Sequence, residues 1–208
     1  MTSTAYFDTE GQPCLSTSGY AVLLNDYDQN GNMIKESYFD TANDPVSSSA
    51  GYASVKKTYN DNKKVIKTEY FSTDGEPVSI PAGYCTLIND YDEKGNMIYE
   101  AYQNSDGEPV TLDPQGYAAL KKEYDAYRHP TLTTYYSSDD KMTSCADGYA
   151  QIRMEYDNGG NLKKQEYLDT EGNLVNSKAG YATIEYTYNK DGSTSEKHID
   201  QEGDVVSE

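Results

Sequence analysis

The chain has 208 residues, a formal net charge of −18 and a mean hydropathy of −0.87. Acid runs along its whole length with no basic patch, so it lacks the positive field that a nucleic acid or an anionic membrane surface would require. Its three cysteines are odd in number and unevenly placed, which is no disulfide framework, and no apolar run is long enough for a bilayer-spanning helix.

In chain order, Met1-Thr2-Ser3-Thr4 runs straight into Tyr6-Phe7-Asp8-Thr9-Glu10-Gly11-Gln12-Pro13, the tail of a unit whose front is missing, which points to a longer parent protein. The first whole unit starts at Gly19-Tyr20, and the pair returns at Gly51-Tyr52, Gly83-Tyr84, Gly116-Tyr117, Gly148-Tyr149 and Gly180-Tyr181, in steps of 32, 32, 33, 32 and 32 residues. A second column is Tyr27, Tyr59, Tyr91, Tyr124, Tyr156 and Tyr188. A third is Tyr38, Tyr70, Tyr102, Tyr135 and Tyr167, with His198 in the last copy. With Tyr6, these columns account for 18 of the 22 tyrosines, so most of the tyrosine belongs to the repeat. The single longer step falls in Leu112-Asp113-Pro114-Gln115, a loop that absorbs an insertion.

Each unit reads as a β-hairpin. Tyr27-Asp28-Gln29-Asn30-Gly31-Asn32 is a turn: aspartate can bond the backbone two residues on, and glycine takes the left-handed conformation. Such a loop pairs Asp28 with Asn32 and Tyr27 with Met33. Strict alternation from there predicts a core face of Ala21, Leu23, Tyr27, Met33 and Phe39, and a mixed face of Tyr20, Val22, Leu24, Ile34 and Tyr38. An Asp-x-x-Gly or Ser-x-Asp-Gly turn followed by Pro-Val or Leu-Val then predicts a short, irregular third strand, because proline donates nothing to a ladder. Copy four, with Tyr127-Arg128-His129-Pro130, is expected to break both the turn and the start of its second strand. No segment shows a helical period.

The predicted fold is therefore all-β: an elongated solenoid or spiral of about six ~32-residue hairpins. It is read as one repeat domain over residues 1–208, with a partial copy at 1–18 and copies starting near 19, 51, 83, 116, 148 and 180. A 64-residue double period overlies it, because Leu23-Leu24-Asn25-Asp26-Tyr27-Asp28 returns as Leu87-Ile88-Asn89-Asp90-Tyr91-Asp92. Cys85 replaces Ala21 in its column and reads as a small buried residue.

Little of this looks like chemistry. Asp26, Asp28 and Asn30 resemble the front half of a calcium loop, but Ser37 stands where such a loop places its bidentate glutamate, and hairpin-turn chemistry explains the same residues. The two histidines, His129 and His198, lie far apart, and no nucleophile, phosphate-loop or metal spacing appears, so no catalysis and no cofactor are expected. The candidate binding residues are the tyrosines Tyr20, Tyr38, Tyr52, Tyr70, Tyr84, Tyr102, Tyr117, Tyr135, Tyr149, Tyr167 and Tyr181. Repetition would line them into an aromatic ladder on which sugar rings could stack, with Glu36, Glu100 and Asp26 accepting bonds from hydroxyls. The same tyrosines could equally be filling the gaps between hairpins, since tyrosine is a strong strand former.

The Gly-Tyr-Ala … Tyr-Asp-x-x-Gly-Asn … Tyr-Phe-Asp-x-x-Gly-x-Pro-Val pattern resembles the tyrosine-rich tandem repeats of Gram-positive bacteria, found on envelope-glycopolymer enzymes and surface proteins. It is loosely similar to cell-wall-binding repeats and to the Tyr-Asp repeats of large shell-forming toxins. The resemblance implies a non-catalytic module of a larger envelope-associated protein, binding cell-wall or capsular carbohydrate such as a teichoic acid. The partner would then be an envelope glycan or a neighbouring domain, with no nucleic acid and no membrane insertion. The alternative is a spacer or self-association module forming homo-oligomers.

Overall fold

The computed structural model describes residues 1–189 and 192–207. Among these residues there is no helix; the strands are β1 (Thr2–Ala5), β2 (Val22–Tyr27), β3 (Met33–Phe39), β4 (Ser54–Tyr59), β5 (Val65–Phe71), β6 (Thr86–Tyr91), β7 (Met97–Gln103), β8 (Ala119–Tyr124), β9 (Pro130–Tyr136), β10 (Gln151–Tyr156), β11 (Leu162–Leu168), β12 (Thr183–Tyr188), β13 (Thr194–Ile199) and β14 (Val205–Ser207). The protein is all-β, built of consecutive hairpins. It divides into two compact units, Met1–Tyr91 with Ala101–Val110, and Asp92–Glu100 with Thr111–Glu208. In the first unit β1 to β6 each pair antiparallel with the next strand; in the second, β8 to β14 do the same.

The hairpin turn forms as its residues dictate. Asp28 Oδ1 accepts the backbone N–H of Asn30 at 2.9 Å and of Asn32 at 2.8 Å, the Asp28 N–H donates to the Asn32 carbonyl, and Gly31 sits at φ +80°. Copies that have lost this glycine keep the turn. Lys63 and Arg128 take its place at φ +59° and +74°, a conformation that costs an L-residue about 1–2 kcal/mol. Copy four is accordingly not broken: the Asp125 N–H reaches the His129 carbonyl at 3.0 Å, and β9 begins at Pro130 itself.

The two-face assignment fails one step from the turn. Tyr27 does face Met33, but Asp26 faces Lys35, so Ile34 is an extra residue, a β-bulge. The same shift follows Thr58, Glu123 and Glu155. A one-residue slip exchanges every side chain's face. Leu23 therefore lies opposite Tyr38 rather than with Phe39, and Phe39 lies opposite Val22. Buried strand residues lie on both sides: Val55, Leu120 and Ile184 at the Leu23 position, with Tyr38 and Tyr167 across from Leu23 and Ile152, and Ala119, Thr183 and Leu168 on the Val22 side. The sixth hairpin runs from Thr183↔Ile199 to Tyr188↔Thr194 without a shift. Tyr181 and His198 are 17 residues apart where Tyr20 and Tyr38 are 18 apart, so this copy has deleted the bulge residue.

Hairpins join through an excursion. The Tyr38 N–H donates to the Ala53 carbonyl at 2.9 Å, while the Tyr38 carbonyl accepts the Val46 N–H at 3.0 Å. At Tyr38, then, β3 passes from β4 to the linking segment, whose expected third strand shrinks to single bridges such as Phe39↔Pro45. The chain swings out through Ser48 and Gly51 and returns as β4. Neighbouring excursions bond to each other: Ser49 N–H to the Ser18 carbonyl, Ala146 N–H to Gln115 and Lys178 N–H to Asp147, each at 2.8 Å. Each copy buries a small residue at its start, Ala21, Ala53 and Cys85 in the first unit and Ala118, Ala150 and Ala182 in the second, each 3% exposed or less. Cys85 is a buried packing residue, its Sγ 3.3 Å from Ser79 Oγ.

Candidate functional site

Within each unit the candidate tyrosines meet one another, two pairs stacked and the rest tilted or edge-on. In the first unit, ring centroids are separated by 4.6 Å between Tyr20 and Tyr38, 5.7 Å between Tyr38 and Tyr52, 4.8 Å between Tyr52 and Tyr70, 6.0 Å between Tyr70 and Tyr84, and 5.1 Å between Tyr84 and Tyr102. Tyr6 closes the near end against Tyr20 at 5.8 Å, edge-on. In the second unit, the spacings run Tyr117–Tyr135 4.7 Å, Tyr135–Tyr149 6.1 Å, Tyr149–Tyr167 4.5 Å and Tyr167–Tyr181 6.0 Å. His198 stacks on Tyr181 at 4.3 Å, which explains a histidine in a tyrosine column.

The geometry follows from the excursion. Tyr20 leaves the loop just after Gly19, and Tyr38 sits where β3 changes partners, so each hairpin contributes one ring from each place. Tyr38, Tyr102 and Tyr167 are buried and the other eight are half-buried. Burial pushes the Tyr38, Tyr70, Tyr135 and Tyr149 hydroxyls well above a tyrosine's ordinary value. At Tyr38 the hydrogen bond to Glu36 pushes the same way. Glu36 thus takes the hydroxyl of Tyr38 itself. Asp26 faces Lys35, on the other side of the sheet from Tyr38.

What the column leaves open is its edge. In the second unit two adjoining grooves run along it. The first, about 480 Å³, is lined by Tyr117, Tyr135 and Tyr149 with Gln115, Asp147 and Lys178. The second, about 220 Å³, is lined by Tyr149, Tyr167 and Tyr181 with Asp147, Ser177 and Lys178. Asp147 and Lys178 line both. They lie in the excursions just ahead of Gly148 and Gly180, where copies differ freely, so the repeat pattern gave no reason to single them out.

The Tyr27 column has a different task. Tyr59 Oη donates to the Met33 carbonyl at 2.8 Å, Tyr91 to Val65 at 3.2 Å, Tyr124 to Met97 at 2.9 Å and Tyr188 to Leu162 at 3.0 Å. Each acceptor is the first residue of the preceding hairpin's second strand, just before the bulge position. There β3 and β4 have stopped pairing, since their register covers only Lys35↔Lys56, Glu36↔Val55 and Ser37↔Ser54. The hydroxyl satisfies a carbonyl that the diverging strands abandon.

Of the calcium-loop residues, Asp28 and Asn30 share the turn, and Asp26 lies in β2 outside it. Asp28 Oδ1 holds two backbone amides and Oδ2 accepts Asn32 Nδ2 at 2.8 Å, so both oxygens serve the turn. These bonds, led by the one from the Asn32 side chain, hold its carboxyl below the usual range. Among the described residues no group of His, Cys, Asp and Glu is placed to hold a metal.

No family model matches the chain, and no curated protein is similar to it. Solved structures that are similar include TcdB2-TccC3, at 16% identity and a TM-score of 0.41 over 89% of this chain. Two others are TcdB2-TccC3-Cdc42, at 15%, 0.43 and 93%, and TcdB2-TccC3 without its hypervariable C-terminal region, at 14%, 0.43 and 93%. The chain spans 10% of the length of each.

Proposed function

We propose that the chain is a non-catalytic structural module, a spacer that holds a neighbouring domain of a larger protein. One observation carries this reading: the rings that would make a ligand platform are spent on each other. A sugar needs an open aromatic face, and each interior ring of the column already has neighbours within stacking distance. The envelope setting implied by the sequence resemblance belongs to the same proposal. Sedimentation at increasing concentration, run beside an array of wall and capsular glycans, tests it. A concentration-independent mass with no glycan retained supports a spacer. Growth in mass would make it a self-association element instead, and retention of a glycan would refute the spacer.

A second reading has its own support. The grooves at Tyr117, Tyr135, Tyr149, Tyr167 and Tyr181 combine ring edges and hydroxyls with an amide, a carboxylate and an ammonium group, the polar set that a hydroxyl-rich ligand engages. If glycan is bound, Asp147→Ala and Lys178→Ala weaken it, because both residues line both grooves. Undiminished binding in the double variant removes this reading.

A further inference from the structure

A larger cavity, about 920 Å³, lies at the hairpin tips of the copies that begin near 116 and 148, away from the tyrosine column. Its walls include Asp125, Tyr127, His129, Glu155, Tyr156 and Asp157. Tyr127 and His129 stand where the first copy has Asn30 and Asn32; the His129 ring takes over the bond that Asn32 makes to the turn aspartate, and the turn's backbone bonds form without the Tyr127 ring. Tyr127 belongs to none of the three columns and is 82% exposed, more than any other large hydrophobic residue past Met1. Packing gives no reason for an aromatic residue there.

The site is built. His129 Nδ1 lies 3.0 Å from Asp125 Oδ2, which fixes the imidazole against Tyr156 with centroids 4.6 Å apart and planes 22° apart. Gly160 makes room for it, since a Cβ there would come within 3.1 Å of His129 Nε2. The Tyr127 ring follows at 6.2 Å from His129, tilted by 34°. Three carboxylates share these walls with the rings, and no lysine or arginine is among the described lining residues. The turn's own cation is tied elsewhere, with Arg128 Nε donating to Asn96 Oδ1 at 2.8 Å.

A hard metal ion does not suit this arrangement. The carboxylate oxygens of Asp125 and Asp157 already accept turn amides and do not converge on a point. Their negative charge remains, however, beside an open π-face. We propose that this cleft binds an organic cation, an ammonium or guanidinium group seated over Tyr127 and balanced by Asp125, Glu155 and Asp157. Such a group is large and weakly coordinating, so it needs a field and a face rather than a cage. A polyamine and a basic peptide side chain supply the same group.

Calorimetry on the whole chain with spermidine, with a short arginine- and lysine-containing peptide, and with N-acetylglucosamine tests the inference. Saturable binding of one cation per chain is expected, and whichever cation binds names the source. Tyr127→Ala should weaken it about three-fold, the size of an exposed cation–π contact. That variant leaves net charge untouched, so diffuse attraction to an acidic protein would not register it. Glu155→Gln should weaken binding as well, while Glu202→Gln, in a distant turn, should not. Equal affinity in Tyr127→Ala, several cations per chain, or saturable binding of the sugar alone would overturn the proposal.

Discussion

Replacing Gly116 and Gly180 by alanine, one at a time, separates two demands that the Gly-Tyr pair makes on its glycine. Both residues have the left-handed φ that L-residues avoid, +81° and +90°. An added Cβ at Gly180 would meet nothing within 4 Å, whereas at Gly116 it would lie 2.9 Å from the Ala146 nitrogen and 3.3 Å from the Cys145 carbonyl carbon. The φ penalty is about 1–2 kcal/mol, offset by about 0.4–1 kcal/mol because alanine leaves the unfolded chain less freedom. Gly180→Ala should therefore lose about 1 kcal/mol. Gly116→Ala incurs the same loss and must also move backbone. The atom it strikes donates the 2.8 Å bond from Ala146 to Gln115 that joins two excursions, and losing that bond adds about 1 kcal/mol. Gly116→Ala should then lose about 2–3 kcal/mol in urea unfolding followed by far-UV circular dichroism, and amide exchange at Ala146 should speed up in it alone. Equal losses in the two variants would refute the idea that excursions lock to one another through backbone contact at this glycine.

Tyr59→Phe and Tyr124→Phe should each lower the urea midpoint by the equivalent of about 1 kcal/mol, because each strands a strand-end carbonyl. Tyr27→Phe, whose hydroxyl accepts from Thr2 Oγ1 at a long 3.5 Å, should change little. Burial raises the Tyr38, Tyr70, Tyr135 and Tyr149 hydroxyls and pushes Tyr186 up to about 12. The folded state therefore favours the neutral phenol. Its contribution is complete below pH ~10 and is lost as pH rises above that, so stability should fall and tyrosinate absorbance should grow together with unfolding. For Glu166, burial pushes the carboxyl up, but hydrogen bonds and charge from Lys164 and Arg153 outweigh it and hold it low. Its contribution is present above the unfolded carboxyl value near 4.3 and is lost as pH falls below it. Glu166→Gln should flatten the acid limb of the stability profile between about pH 5 and 3.

The hairpins were legible because their punctuation is chemical: aspartate, glycine and asparagine at fixed offsets admit one turn, and the structure forms it even where Lys63 and Arg128 replace the glycine. The bulge was not legible from one copy. Ile34 is as apolar as Met33 before it, so alternation counts through it and assigns Leu23 and Tyr38 to opposite faces. The clue was the comparison of copies: the sixth is one residue shorter between Tyr181 and His198, yet keeps both in the column. The column positions themselves were readable, but whether rings face solvent or each other depends on where β3 changes partners at Tyr38, a backbone event with no residue signature. In sequence the aromatic tip of copy four reads as damage to the repeat, because its turn survives only through an unfavoured φ at Arg128.

The tyrosines of the column are held by one another rather than displayed. Tyrosine nitration of the native protein, read residue by residue by mass spectrometry, tests this most directly. Tyr127 should react first, with Tyr38, Tyr102 and Tyr167 protected until the chain unfolds. Modification of those three at the rate of Tyr127 in the folded protein would contradict it.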